Sequence, residues 1–119
     1  MTCKNNFKLP ELNFIGGNYK EIPFVVEDLD NGGVMDLSNV KLIFSLTEYQ
    51  QRNSDTPLLS KELMLDPDNP TLAKLYLDSA DTINLKGRYI YQITVKAPNN
   101  KKEHFQGSMT IDSNIDPTI

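Results

Sequence analysis

Polar and apolar residues alternate along most of this chain. "NYKEIPFVVED" sets Ile22, Phe24 and Val26 on one side. "VKLIFSLTE" sets Val40, Leu42, Phe44 and Leu46 against Lys41, Ser45 and Thr47. "LAKLYL" opposes Ala73, Leu75 and Leu77 to Lys74 and Tyr76, and "RYIYQITVKA" opposes Tyr89, Tyr91, Ile93 and Val95 to Gln92, Thr94 and Lys96. "EHFQGSMTID" carries Phe105, Gly107, Met109 and Ile111 on one side, and "LLSKELML" is a shorter run from Leu58 to Leu65. A period of two is the mark of a strand with one buried face. A further short strand is expected at "LNFI" before Gly16 and Gly17. The total is about seven strands.

Turn residues separate these runs: "LDNGG", "QQRNSDTP", "DPDNP" and "APNNKK". Helical periodicity never exceeds about one turn, and "DSADTI" is the one place for it, with Asp78 or Ser79 as its cap. Short strands without intervening helices point to an all-β, two-sheet antiparallel β-sandwich of about seven strands, and away from a parallel sheet.

"DTINLKGRYIYQITV" is a corner of such a sandwich. Gly87 permits a sharp reversal, and Tyr89 stands where sandwich domains place a tyrosine that ties back to upstream backbone. Leu85 is expected to plug the end of the core, and Asp81 and Thr82 to satisfy amides of the turn. Arg88 falls on the outer face. The expected role of this cluster is structural.

Length agrees with one domain, spanning residues 1–119, with a polar N-terminal arm over about 1–12 and a C-terminal tail over about 113–119. Net charge is −4, which opposes a phosphate backbone, so no nucleic-acid partner is expected. Lys101 and Lys102 read as a hairpin tip. No stretch is apolar enough for a membrane span, and "MTCKNNFKLP" lacks a signal-peptide pattern. Synthesis in a cytoplasm is the expectation. The single cysteine, Cys3, reads as a free thiol.

Candidate chemistry is thin. "EDLDNGG" has the opening of a calcium loop, but Gly32 and Asn39 occupy ligand positions, and a hairpin turn accounts for the segment. "DPDNP" is acidic but composed of loop formers. The lone His104 completes neither a metal site nor a triad. "FIGGNYK" lacks the ending of a phosphate loop. No catalytic residue, cofactor or metal is expected, and the chain reads as non-enzymatic. Tyr19, Tyr49 and Tyr76 are candidates for exposed faces. Apolar residues in the polar termini (Phe7, Leu9, Pro10, Ile115, Pro117 and Ile119) are candidate partner contacts, with fraying as the alternative, and the loop from Gln50 to Pro57 is another.

Three segments carry a family resemblance. "VVEDLDNGGVMDLSNVKLIFSL" contains a "DLS/T-G/N" step before a "V-x-L-x-F-x-L" strand. "AKLYLDSADTINLKGRYIYQITV" contains "D-T-x-x-L-x-G-x-Y-x-Y-x-I", and "FQGSMTI" is similar to a closing strand. Together, from about Ile22 to Ile111, they resemble the immunoglobulin-like N-terminal domain of the phage baseplate upper protein family and related small phage tail proteins. Asn39 replaces the glycine of the first pattern, and the long C-terminal part of those proteins is missing. The resemblance implies an immunoglobulin-like sandwich located in a virion and made in the cytoplasm of a host bacterium. It implies other virion proteins as partners, in a homo-oligomeric or multi-copy symmetric assembly. A ligand-binding module, such as a carbohydrate-binding or adhesin-like domain, is the alternative, weakened by the absence of tryptophan.

Overall fold

The computed structural model describes residues 9–26, 36–49, 56–98 and 101–116. Among the described residues eight strands and one helical turn follow in chain order: β1 (Leu12–Ile15), β2 (Lys20–Phe24), β3 (Lys41–Glu48), β4 (Leu59–Glu62), β5 (Met64–Asp66), β6 (Asn69–Leu77), α1 (Ser79–Thr82), β7 (Gly87–Lys96) and β8 (Lys102–Asp112). They form two sheets, a five-stranded one in the order β1-β8-β7-β3-β4 and a three-stranded one in the order β2-β6-β5. The fold is an all-β, immunoglobulin-like sandwich.

The alternating apolar residues become its core. Phe44, Leu46, Leu75, Leu77, Tyr91, Met109 and Ile111 are all buried between the sheets, where removal of apolar surface from water supplies most of the drive to fold. Tyr91 lies between Phe24 of β2 and Phe44 of β3, with ring centroids 6.5 and 6.0 Å away.

Three features depart from the sequence expectation. The Leu58–Leu65 run is two strands rather than one. β4 pairs with β3, then Leu63 turns into the core and the chain continues as β5 beside β6 in the opposite sheet. Its amide still reaches the Leu42 carbonyl at 2.9 Å, so the switch occurs without loss of that bond. The sandwich is not wholly antiparallel, because β1 pairs with β8 in parallel, Leu12 opposite Met109 through Ile15 opposite Asp112. Alternation also fails in the middle of β7, where Ile90 and Thr94 on the outer face are buried along with the inward tyrosines. β7 is a central strand, flanked by β3 and β8, so neighbouring side chains cover its outer face as well.

The "DPDNP" turn joins β5 to β6. Its Asp66 side chain accepts from the Asp68 amide at 2.8 Å and Asn69 accepts from the Thr71 amide at 3.0 Å, which is local turn chemistry. Asn69 and Pro70 already belong to β6.

Candidate functional site

The corner is built around α1. The Asp81 carboxylate accepts from the Asp78 amide at 2.7 Å, across the start of the turn, and from the Lys61 ammonium at 2.6 Å. Lys61 also stands 3.7 Å from Asp78, so edge strand β4 is clamped onto the turn. Leu85 packs against the core. Gly87 adopts φ of +109°, which disfavours any side chain. The Tyr89 hydroxyl then donates to the Lys86 carbonyl at 2.9 Å and accepts from the Lys86 amide at 3.0 Å. Thr82 serves a different turn from the one expected. Its hydroxyl accepts from the Gly17 amide at 3.0 Å, linking α1 to the β1–β2 connection. Every one of these groups is engaged with the chain itself.

The "DLS" step has a similar local logic. Asp36 accepts from the Ser38 amide at 2.8 Å, which tightens the turn so that Leu37 between them enters the core. Hydrogen bonds from the Ser38 side chain and then its backbone hold the Asp36 carboxyl below its ordinary value.

The candidate contact residues divide. Leu9 is half-buried against the core, and its amide donates to the Gln106 carbonyl at 3.2 Å. Pro10 is exposed, but its carbonyl accepts from the buried Tyr91 hydroxyl at 2.5 Å. Burial pushes the Tyr91 hydroxyl above the usual tyrosine range, so it remains a donor. The end of the expected arm is therefore fastened along β8. Ile115 is fully exposed. Phe7, Pro117 and Ile119 lie outside the described residues, as do Cys3, the whole "EDLDNGG" turn and most of the Gln50–Pro57 loop.

Gly107 is central to the Tyr91 contact. It stands opposite Tyr91 across the β7–β8 ladder. A Cβ there would meet the tyrosine ring and hydroxyl at 2.7–2.8 Å. The missing side chain opens a slot through which the ring spans β8 to the backbone of Pro10. The alternation showed Gly107 on the inward face, but no local signal showed what fills the space.

The outer face of the five-stranded sheet carries a hydrogen-bonded chain of polar side chains. Gln106 donates to Gln92 at 3.0 Å, Gln92 donates to Thr94 at 3.2 Å, and His104 Nδ1 lies 3.0 Å from the Thr94 hydroxyl. Beside it is a groove of about 200 Å³ lined by Ser45, Thr47, Pro57, Ile90, Gln92 and Gln106. At the far end the Arg88 guanidinium stacks 4.4 Å from the Tyr49 ring centroid. On the other sheet, Tyr19 is exposed and Tyr76 half-buried, and Lys74 bridges Glu21 at 3.2 Å and Asp66 at 3.8 Å. Among the described residues no three His, Cys, Asp or Glu side chains group closely enough to hold a metal ion. Nor is any helix among them long and apolar enough to cross a membrane.

No family model matches the chain, and no curated protein matches it in sequence. Its structure is similar to the crystal structure of CopC from Methylosinus trichosporium OB3b, with a TM-score of 0.50 and 14% sequence identity over 88% of this chain and 87% of that one. At that identity the likeness establishes a shared β-sandwich architecture.

Proposed function

We propose that this chain is a non-enzymatic structural component of a bacteriophage virion, at the tail, baseplate, neck or capsid surface, acting by assembly with other virion proteins and with copies of itself. The observation that carries the reading is the motif "D-T-x-x-L-x-G-x-Y-x-Y-x-I", which resembles the baseplate upper protein domain and occupies the corner whole. In it Asp81 holds the turn, Leu85 caps the core, Gly87 reverses the chain and Tyr89 ties back to Lys86. The groups that come together at this corner rigidify a sandwich, and a rigid sandwich offers neighbouring subunits its edges, loops and termini. Repetition by symmetry would make the same contact many times.

Mass spectrometry of phage particles banded on a density gradient tests this. Co-sedimentation at fixed stoichiometry with capsid and tail proteins is expected. Recovery only in the soluble fraction, with particles abundant, overturns the reading. A truncation removing Met1 to Lys8, which leaves Leu9 and Pro10 in place, then asks whether the arm contributes to incorporation.

One observation favours a second reading, a module for neutral glycans. The groove beside Ile90 is lined by the apolar Leu46, Pro57 and Ile90 together with uncharged amide and hydroxyl groups, a combination that suits polyhydroxyl ligands. A glycan array with the purified protein discriminates between the two.

A further inference from the structure

We propose that the β8 edge is an acceptor site for a second copy of this chain, and that residues 9–15 of one copy can occupy it on another, exchanging for the strand each copy holds itself. This deepens the assembly reading by naming the contact. It concerns the purified protein and stands or falls apart from virion location.

The site is defined by what now fills it. The Leu9 amide donates to the Gln106 carbonyl at 3.2 Å, and Leu12–Ile15 run in register with Met109–Asp112. The Gly16 amide donates to the Asp112 carbonyl at 2.9 Å. Phe14 is buried below the strand, and the Tyr91 hydroxyl passes over Gly107 to the Pro10 carbonyl. An empty site would leave a row of β8 backbone groups without partners and a buried phenol without an acceptor. The first is an unpaired strand edge, which templates pairing with another chain, and the second is costly where water does not reach it. The site therefore fits an occupant of this sequence, and any copy carries one.

The occupant is also the most separable element of the sheet. Among the described residues β1 is an edge strand with one neighbour, four residues long and paired in parallel. Parallel pairing is the slightly weaker kind per residue. Its connection to β2 is a tight turn through Gly16 and Gly17, closed by the Asn18 amide on the Ile15 carbonyl at 3.1 Å and the Gly17 amide on Thr82 Oγ1 at 3.0 Å. Opening that turn is what exchange costs beyond bringing two copies together, because the strand's contacts with β8 re-form between copies. Low concentration thus favours the closed monomer, and the high local concentration of a multi-copy assembly favours exchange.

Gly17 gives a handle on the equilibrium. It holds φ of +91° in the closed turn, and a Cβ would meet Ile83 Cδ1 at 2.5 Å. Gly17→Ala therefore penalises the closed turn and leaves an extended connection unaffected.

The test is trans cross-linking in a Cys3→Ser background. Chains carrying Asn13→Cys are mixed at millimolar concentration with chains carrying Thr110→Cys, since these positions face each other between β1 and β8, and the mixture is oxidised. The control mixes Asn13→Cys with Lys41→Cys, a position on β3 two strands away from β8. Ile15→Cys with Asp112→Cys is a second facing pair should either first cysteine impair folding. Exchange predicts a disulfide-linked heterodimer well above the control, increasing with protein concentration and several-fold higher with Gly17→Ala. Heterodimer no greater than the control for both facing pairs, in folded protein at millimolar concentration, overturns the proposal.

Discussion

Gly107→Ala is the substitution that most directly probes how this sandwich is held together. Gly107 sits within β8, outside the left-handed region, so alanine is conformationally acceptable there. The whole penalty is steric. The new methyl would stand 2.7–2.8 Å from three atoms of Tyr91, roughly an ångström short of the optimal carbon separation of about 3.5–4.0 Å. Tyr91 has little room to yield, being buried between Phe24 and Phe44, with its hydroxyl fixed on Pro10. Relief requires the ring to leave its rotamer or β8 to move away from the core. Overpacking of this kind costs about 1–3 kcal/mol. At this chain length that lowers the melting midpoint by about 4 °C per kcal/mol. Urea unfolding followed by tyrosine fluorescence supplies the free energy, and hydrogen exchange locates the damage. Amides of β1 should exchange faster, because displacing the ring withdraws the hydroxyl from the N-terminal segment. A variant as stable as the wild type, with unchanged β1 protection, would refute the idea that Gly107 makes the slot.

Tyr89→Phe removes a hydroxyl that both donates to and accepts from Lys86, so a loss of about 1–2 kcal/mol in chemical denaturation is expected. Asp81→Ala removes the acceptor of both the Asp78 amide and Lys61. It should cost about 1–2 kcal/mol and speed exchange in α1 and β4, whereas Asp78→Ala should cost less. An NMR titration of Asp36 should show a midpoint below 3.8, returning part-way upward in Ser38→Ala because the Ser38 side chain is the larger cause of the depression. A depressed folded-state value means that this carboxylate stabilises the fold above its unfolded value and that its contribution is lost as pH falls through the lower folded one. An Asp36 midpoint at or above the ordinary value would contradict the turn geometry.

The parts of this protein legible in its sequence are those governed by local rules. Alternation identifies the inward residues of β3, β6, β7 and β8 because a pleated strand sends successive side chains to opposite faces. Gly87 and Tyr89 mark their corner because a positive φ and a short tie to Lys86 are settled within a few residues. Asp78 and Asp81 mark α1 for the same reason. Other features depended on segments remote in the chain. Nothing between Leu58 and Leu65 shows that Leu63 carries the chain from one sheet to the other, because that crossing is determined by which strands remain unpaired on each side. The parallel union of β1 with β8 joins residues almost a hundred positions apart. The Thr82 hydroxyl serves Gly17, 65 residues away, while its backbone carbonyl closes its own turn. Leu9 and Pro10 read as part of a loose polar arm, yet both are fastened to the β7–β8 pair, because the Leu9 amide meets the Gln106 carbonyl and Gly107 leaves room for Tyr91 to reach Pro10 across β8. Sequence determines which faces are apolar and where the chain turns, since those preferences belong to each residue and its neighbours. The tertiary structure decides which edges meet and which buried polar groups find partners, since burial removes water as an alternative and leaves distant residues to satisfy them.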